Sequence, residues 1–129
     1  MSEPKIKMYC IFSKEALKKM NGIRGKLASQ AGHAYLHAFW DAYDGDKPTE
    51  SVYAADAYRE GRAYKITLVV ETDTELREIV DSYKDICGAV LIEDAGFTVF
   101  DGPTVTCAGI GPVSDSDLLD NIKSLRTLT

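Results

Sequence analysis

The feature that most constrains this chain is the order in which its apolar residues change spacing. Residues 7–12 are a mainly apolar run that is typical of a buried strand. Residues 25–43 instead have apolar side chains at helical spacing. Further strand-like runs occupy residues 64–71, 89–92 and 105–110, and helical patterns occupy residues 51–60, residues 73–86 and the stretch after Ser114. The predicted order of elements is therefore β-α-α-β-α-β-β-α.

This order predicts an α/β fold with a mixed sheet. Strands separated by helices are joined by right-handed crossovers and run parallel. The third and fourth strands have a loop alone between them, so one strand should run antiparallel. We expect a four-stranded mixed sheet with helices on both faces, in a single domain over residues 1–129, which is a usual length for one domain.

Composition favours a cytoplasmic protein that folds without disulfides or a structural metal. No apolar run approaches the roughly 20 residues of a membrane span, and no signal-peptide segment precedes the first strand. The thiols of Cys10, Cys87 and Cys107 are widely spaced in apolar stretches and form no pair of metal-binding type. We therefore expect all three cysteines to be buried, reduced thiols.

Charge is distributed unevenly along the chain, although the net charge is −5. Residues 1–26 carry seven Lys and Arg against two Glu, which leaves +5, and the remainder carries eight against eighteen, which leaves −10. This asymmetry predicts one basic face that could hold a phosphate-bearing ligand. A solvated lysine-rich helix explains the charge equally well.

Three polar residues at the start of the long helix are the first candidates for a site. Lys26, Gln30 and His33 are spaced i, i+4 and i+7, so they form a polar stripe beside the apolar one. The glycine and basic residues that open this helix suit an anion at its N-terminus. Alternatively, Gln30 and His33 are satisfied polar groups at the edge of the core.

The same helix contains a pair with metal-ligand spacing. His33 and His37 are i, i+4, and Asp41 follows one turn later. A zinc site needs a complete ligand set and a fixing outer shell, which the sequence does not supply. We expect no metal and no other cofactor.

Two further segments could carry chemistry. Asp94 follows a strand and precedes Gly96, a position at which α/β proteins place functional groups. Its carboxylate could orient water, act as a general base, hold a basic side chain or merely form an Asx turn. Thr104 and Thr106 place hydroxyl groups on one face of the following strand.

These segments together resemble one family. Residues 25–34, GKLASQAGHA, resemble the G-K-x-A-x-Q-x-x-H-A segment of type 2 peptidyl-tRNA hydrolases. Residues 91–98, LIEDAGFT, resemble the L-I-x-D-A-G-x-T segment of that family, and residues 102–112 resemble its G-x-x-T-V-x-x-I-G-P ending. The resemblance extends from about residue 7 to about residue 125.

The resemblance implies a mixed four-stranded sheet, a homodimer and metal-free hydrolysis of the ester between a peptide and the terminal ribose of tRNA. It implies that Lys26 contacts phosphate or polarises the ester carbonyl, with His33 beside it. Asp94 would hold or activate the attacking water, supported by Thr98. The residues expected to contact peptidyl-tRNA are Arg24, Gln30, Phe97, Thr104 and Thr106.

Two alternatives stay open. One is a non-catalytic binding protein on the same scaffold, favoured by the acidic body and by Phe97, which stands where many members have a basic residue. The other is a hydrolase of a different small ester or amide. The presence of Lys26, His33 and Asp94 favours the peptidyl-tRNA hydrolase.

Overall fold

A computed structural model describes residues 5–96 and 102–129 as one mixed sheet flanked by helices. The elements are, in chain order, β1 (Ile6–Ser13), α1 (Lys14–Met20), α2 (Arg24–Asp41), α3 (Thr49–Glu60), β2 (Tyr64–Val70), α4 (Asp73–Tyr83), β3 (Ala89–Asp94), β4 (Thr104–Ser114), a 3-10 turn (Asp115–Asp117), α5 (Asp120–Lys123) and β5 (Arg126–Thr127).

The sheet has the strand order β3-β4-β1-β2-β5. β1 and β2 are parallel, which confirms the predicted crossover, and β3 and β4 are antiparallel, which confirms the predicted loop connection. The expected number of four strands is wrong, because β5 adds a fifth strand antiparallel to β2. A two-residue strand is too short to show any periodicity in the sequence.

Successive residues of β1 point to opposite faces of the sheet and enter separate cores. Tyr9 and Ile11 pack with the apolar side of α4, and Cys10 and Phe12 pack with residues of α1 and α2. Helices therefore cover both faces, as predicted. The α4 pattern begins where expected, at Thr72, whose hydroxyl accepts a hydrogen bond from Glu75 N at 3.2 Å.

Helix α2 lies unusually close to the sheet because small residues face each other at the contact. Ala34 and Ala38 are fully buried. Across from them is Gly109 of β4, where an added Cβ would collide with the carbonyl oxygen of Ala34. This close approach places the polar edge of α2 beside β3, an edge strand of the sheet.

The predicted order of helices needs two corrections. A helix that the sequence did not reveal, α1, begins at Ser13, whose hydroxyl accepts a hydrogen bond from Ala16 N at 3.1 Å. The last helix does not run on from Ser114. It is split into the 3-10 turn and the four-residue α5, because the intervening Leu118 and Leu119 are extended and Leu119 N donates to Tyr83 Oη at 2.8 Å.

Among the residues described, no helix is both long and apolar enough to cross a bilayer.

Candidate functional site

The start of α2 and the end of β3 meet in an ion pair. Lys26 Nζ lies 2.7 Å from Asp94 Oδ2. The two side chains retain 15% and 10% of their exposure, so the pair is largely enclosed yet reached by solvent. A shared site for Lys26 and Asp94 requires the two side chains to be close together, and in the structure they are.

Gln30 fixes the same carboxylate from the next turn of α2. Its Nε2 donates to Asp94 Oδ2 at 3.1 Å. Its Oε1 accepts a hydrogen bond of 2.6 Å from the Thr106 hydroxyl. Because both polar ends of the amide are engaged and Gln30 is buried, its orientation is determined by this chain of hydrogen bonds.

The remaining oxygen of Asp94 is held by the backbone. Gly96 N donates to Asp94 Oδ1 at 2.8 Å, which closes the Asx turn considered as an alternative for this segment. The Asx turn at Asp94 is therefore compatible with a functional role for the same carboxylate. Gly96 has φ of +86°, and an added Cβ there would overlap the backbone of Gly102.

The surroundings hold the pKa of the Asp94 carboxyl below its ordinary value. The principal cause is the hydrogen bond from Lys26, opposed by burial and reinforced by Gly96 N–H and by the charge of His33. Asp94 is therefore ionised at neutral pH. A carboxylate with a lowered pKa is a weak proton acceptor but a strong hydrogen-bond acceptor.

Other predicted site residues are placed as follows. Thr106 is fully buried, so its hydroxyl meets Gln30 rather than solvent, contrary to the expectation of direct substrate contact. Thr104 is partly buried and donates to Gly102 O at 3.1 Å. Arg24 is exposed in the first turn of α2, and His33 is exposed further along it. Phe97 and Thr98 lie outside the described residues.

No metal centre is formed by the side chains of residues 5–96 and 102–129, since no three His, Cys, Asp or Glu groups converge there. His33 and His37 are instead exposed, with ring centroids 5.9 Å apart. The three cysteines are buried, and burial raises the pKa of Cys87 to about 12, so its thiol is protonated at neutral pH.

A separate apolar cavity of about 400 Å³ lies beside α2 and α3. Met8, Tyr35, Phe39 and Tyr58 contribute to its walls. Neither Lys26 nor Asp94 lines it. The polar cluster on the β3 side of α2 is therefore the candidate site for chemistry.

A family model described as "Peptidyl-tRNA hydrolase PTH2" matches residues 6–128 of this chain. The chain belongs to the PTH2 family. This confirms the resemblance drawn from the three motifs and extends it across nearly every residue.

Relatives in this PTH2 family support the assignment. A protein named peptidyl-tRNA hydrolase from Methanopyrus kandleri is 38% identical over 96 residues, covering 74% of this chain and 78% of its own. Proteins of the same name from Methanothermobacter thermautotrophicus and Methanocaldococcus jannaschii are 35% and 32% identical. They cover 77% and 74% of this chain, and 81% and 79% of their own lengths.

Proposed function

We propose that this chain hydrolyses the ester bond of peptidyl-tRNA, releasing the peptide and free tRNA. The observation that carries the proposal is the enclosed, solvent-reached contact between Lys26 Nζ and Asp94 Oδ2. Membership of the PTH2 family and relatives named peptidyl-tRNA hydrolase give the substrate. Ester hydrolysis needs a positioned water and a positive group at the developing oxyanion, and this pair supplies both kinds of group.

In this mechanism Asp94 orients the attacking water. A carboxylate offers about four acceptor sites, and among the described residues Lys26, Gln30 and Gly96 fill three of them. The fourth accepts a hydrogen bond from the water. Because the pKa of Asp94 is lowered, the carboxylate aligns the water through the acceptor bond and does not remove its proton before attack. The water oxygen bonds to the ester carbonyl carbon, the bond from that carbon to the ribose oxygen breaks, and the water proton passes to the departing ribose oxygen.

Lys26 stabilises the charge that forms on the ester oxygen. Its ammonium has three donor hydrogens and lies 2.7 Å from Asp94 Oδ2. A cation already fixed by a neighbouring carboxylate needs little reorganisation during the reaction. Removing one such donor typically lowers the rate by about 10²–10³-fold.

Gln30 and Thr106 act as positioning residues rather than substrate contacts. The Thr106 hydroxyl orients the amide of Gln30, and the amide orients Asp94. Family resemblance adds Thr98 as a support for the water and His33 as a group near the ester. Phe97, Arg24 and Thr104 stay expected contacts to peptidyl-tRNA.

The tRNA body is expected to lie near the start of α2, where Arg24 is exposed in the first turn. Residues 1–26 carry +5 of formal charge, including Arg24 and Lys26 in the first turn of that helix. Ile23 at the N-cap has no side-chain acceptor, so the first N–H groups of α2 are disposed towards an anion. We also propose a homodimer and a cytoplasmic location, which sedimentation and cell fractionation would test.

The decisive experiment follows the release of free tRNA from a model peptidyl-tRNA. Wild type should release it, and Lys26→Ala and Asp94→Ala should each lose activity by about 10²-fold or more. Lys84→Ala is the matched control, because Lys84 also pairs with an aspartate, Asp81, but is exposed at the C-cap of α4. Folding of each variant is verified by its urea midpoint.

The same assay separates the two alternatives. Binding of peptidyl-tRNA without release by folded wild type would indicate the binding protein. Cleavage of a small aryl ester by a protein that ignores peptidyl-tRNA would indicate the other hydrolase. Titration of tRNA affinity against salt gives an independent reading, since phosphate contacts weaken steeply as salt rises.

A further inference from the structure

A row of flat side chains leads away from the Lys26–Asp94 pair along α2. His33 and His37 have ring centroids 5.9 Å apart, and His37 and Trp40 have centroids 5.3 Å apart. Trp40 is 58% exposed although it is the largest apolar side chain in the protein. We call these three residues the ring ladder. Large exposed aromatic surface of this kind commonly marks an interaction site.

The ladder is aligned with the site by helix geometry. His33, His37 and Trp40 follow Lys26 by 7, 11 and 14 residues, which at 3.6 residues per turn keeps all four within about 60° of one helix face. Trp40 lies roughly 21 Å from Lys26 along the helix axis. A ligand held at Lys26 that continues along this stripe therefore reaches Trp40.

The charges of Lys26 and Asp41 on α2 are each balanced by a neighbour, since Lys26 Nζ lies 2.7 Å from Asp94 Oδ2. Asp41 is the one acidic residue in α2, against Arg24 and Lys26. Its carboxylate is already engaged, with Lys47 Nζ at 3.0 Å and Ala89 N at 2.9 Å. The stripe therefore presents no uncompensated carboxylate, although the protein as a whole carries −5.

We propose that the ring ladder binds the unpaired nucleotides at the 3′ end of the tRNA moiety, with a base stacked on Trp40. This inference rests on the proposed function, since the ester at the last ribose must lie at Lys26 and Asp94. A single strand covers about 21 Å in roughly six stacked steps of about 3.4 Å, and in fewer when it is extended. Aromatic side chains bind single strands by stacking on bases, with little dependence on sequence.

The nucleotide end is favoured over the peptide as the occupant. Peptides differ from one peptidyl-tRNA to the next, whereas every such substrate has an unpaired nucleotide end attached to its ester. The flat rings match bases, which belong to the constant part of the substrate, and the carboxylates at the two ends of the ladder, Asp94 and Asp41, are each paired with a lysine.

Trp40 is the single tryptophan of the chain, so its emission reports on this position directly. The probe is a four-nucleotide single-stranded RNA with the CCA ending of tRNA. Saturable quenching of Trp40 emission is expected in wild type and also in Lys26→Ala. The latter result would show nucleotide binding independently of catalysis.

Kinetics supply the second measurement. Trp40→Ala should raise KM for peptidyl-tRNA by about tenfold and leave kcat within about twofold, in keeping with the usual effect of removing one stacking side chain. Trp40→Phe, which keeps a stacking ring, should restore most of the affinity. Tyr53→Ala is the control, because Tyr53 is an exposed aromatic residue on α3.

Several results would overturn the inference without affecting the proposed function. One is unchanged emission with RNA together with an unchanged KM in Trp40→Ala, while Lys26→Ala remains inactive. Quenching by a short peptide but not by RNA would assign the ladder to the peptide. A shift of emission with protein concentration alone would assign it to a second copy of the chain. Failure of wild type to release tRNA would instead remove the proposed function.

Discussion

Two Lys–Asp pairs join α2 to the segments around β3, one near each end of the strand, and they differ in what surrounds them. At the start of β3, Lys47 Nζ lies 3.0 Å from Asp41 Oδ2 and also donates to Lys84 O and Cys87 O at 2.8 and 2.9 Å. Asp41 in turn accepts Ala89 N. This pair links backbone segments, and Lys47 is only 8% exposed.

The pair at the end of β3 is arranged differently. Asp94 receives Lys26 and the Gln30 amide from α2, and one backbone N–H from its own turn. These contacts fix the position of a charged side chain at the end of β3, whereas the contacts of Lys47 connect separate backbone segments. A Lys–Asp pair therefore stabilises the backbone at the start of β3, whereas the pair at the end of β3 is available to take part in a reaction.

The largest expected effect comes from breaking the Lys26 pair. Lys26→Met keeps the aliphatic stem and removes the ammonium, so kcat for peptidyl-tRNA hydrolysis should fall by about 10²–10³-fold. The free energy of unfolding should fall by about 1–2 kcal/mol, less than for the other pair, because Asp94 keeps its hydrogen bonds from Gln30 Nε2 and Gly96 N. Single-turnover release of tRNA and urea denaturation give the two quantities. A stability loss large enough to explain the inactivity would contradict the comparison.

Removing the cation of the Asp41–Lys47 pair should affect stability more than activity. Lys47→Met leaves Asp41 and two backbone carbonyls without their cation, which should lower the free energy of unfolding by about 2–3 kcal/mol. Under conditions in which the variant is folded, its kcat should stay within about twofold of wild type. Equal loss of activity in Lys47→Met and Lys26→Met would show that the pairs are not functionally distinct.

The sequence predicted much of this arrangement. Apolar periodicity found α2, α3, α4 and the first four strands, because each is long enough to repeat its pattern. The Lys26–Asp94 contact could be anticipated because functional groups gather where strands end. Residues 97–101 are outside the part of the chain that the structure describes, so the predicted roles of Phe97 and Thr98 stay predictions.

Other features were not recoverable from local pattern. The α1 segment buries Ala16 and Met20, and two residues one turn apart do not define a periodic stripe. The Asp41–Lys47 pair depends on how the turn after α2 folds back, which no spacing rule encodes. Alternation along β4 gives the face on which Thr106 lies but not what covers that face, so its burial against Gln30 does not follow from the sequence.

The buried hydroxyl of Thr106 donates to Gln30 Oε1 and so fixes the amide that holds Asp94. Thr106→Val preserves shape but leaves Gln30 Oε1 without its 2.6 Å donor, so stability should fall by about 1–2 kcal/mol. Release of Gln30 should also lower kcat, with little change in KM. Thr106→Ser should restore both, since it keeps the hydroxyl. A Thr106→Val variant with normal kcat would mean that Gln30 does not need this donor to hold Asp94.

The smallest effect is a pH dependence that distinguishes orientation of water from removal of its proton. The folded-state pKa of Asp94 lies below the ordinary value of about 3.9, chiefly because of Lys26. The ionised carboxylate therefore contributes stability that is fully present above the ordinary pKa and is lost as pH falls through the lowered one. The stability difference between wild type and Asp94→Asn should be constant from about pH 7 to 5 and shrink below about pH 4, as followed by urea midpoints.

Removal of the lysine provides the internal check on this assignment. In Lys26→Met the principal cause of the lowered Asp94 pKa is absent, and burial, which raises the pKa, acts with less opposition. The difference between Lys26→Met and Lys26→Met/Asp94→Asn should therefore begin to shrink at a higher pH than the corresponding wild-type difference. If the wild-type difference already shrank between pH 7 and 5, the Asp94 pKa would be raised, and Asp94 would be a proton acceptor in the reaction rather than the group that aligns the water.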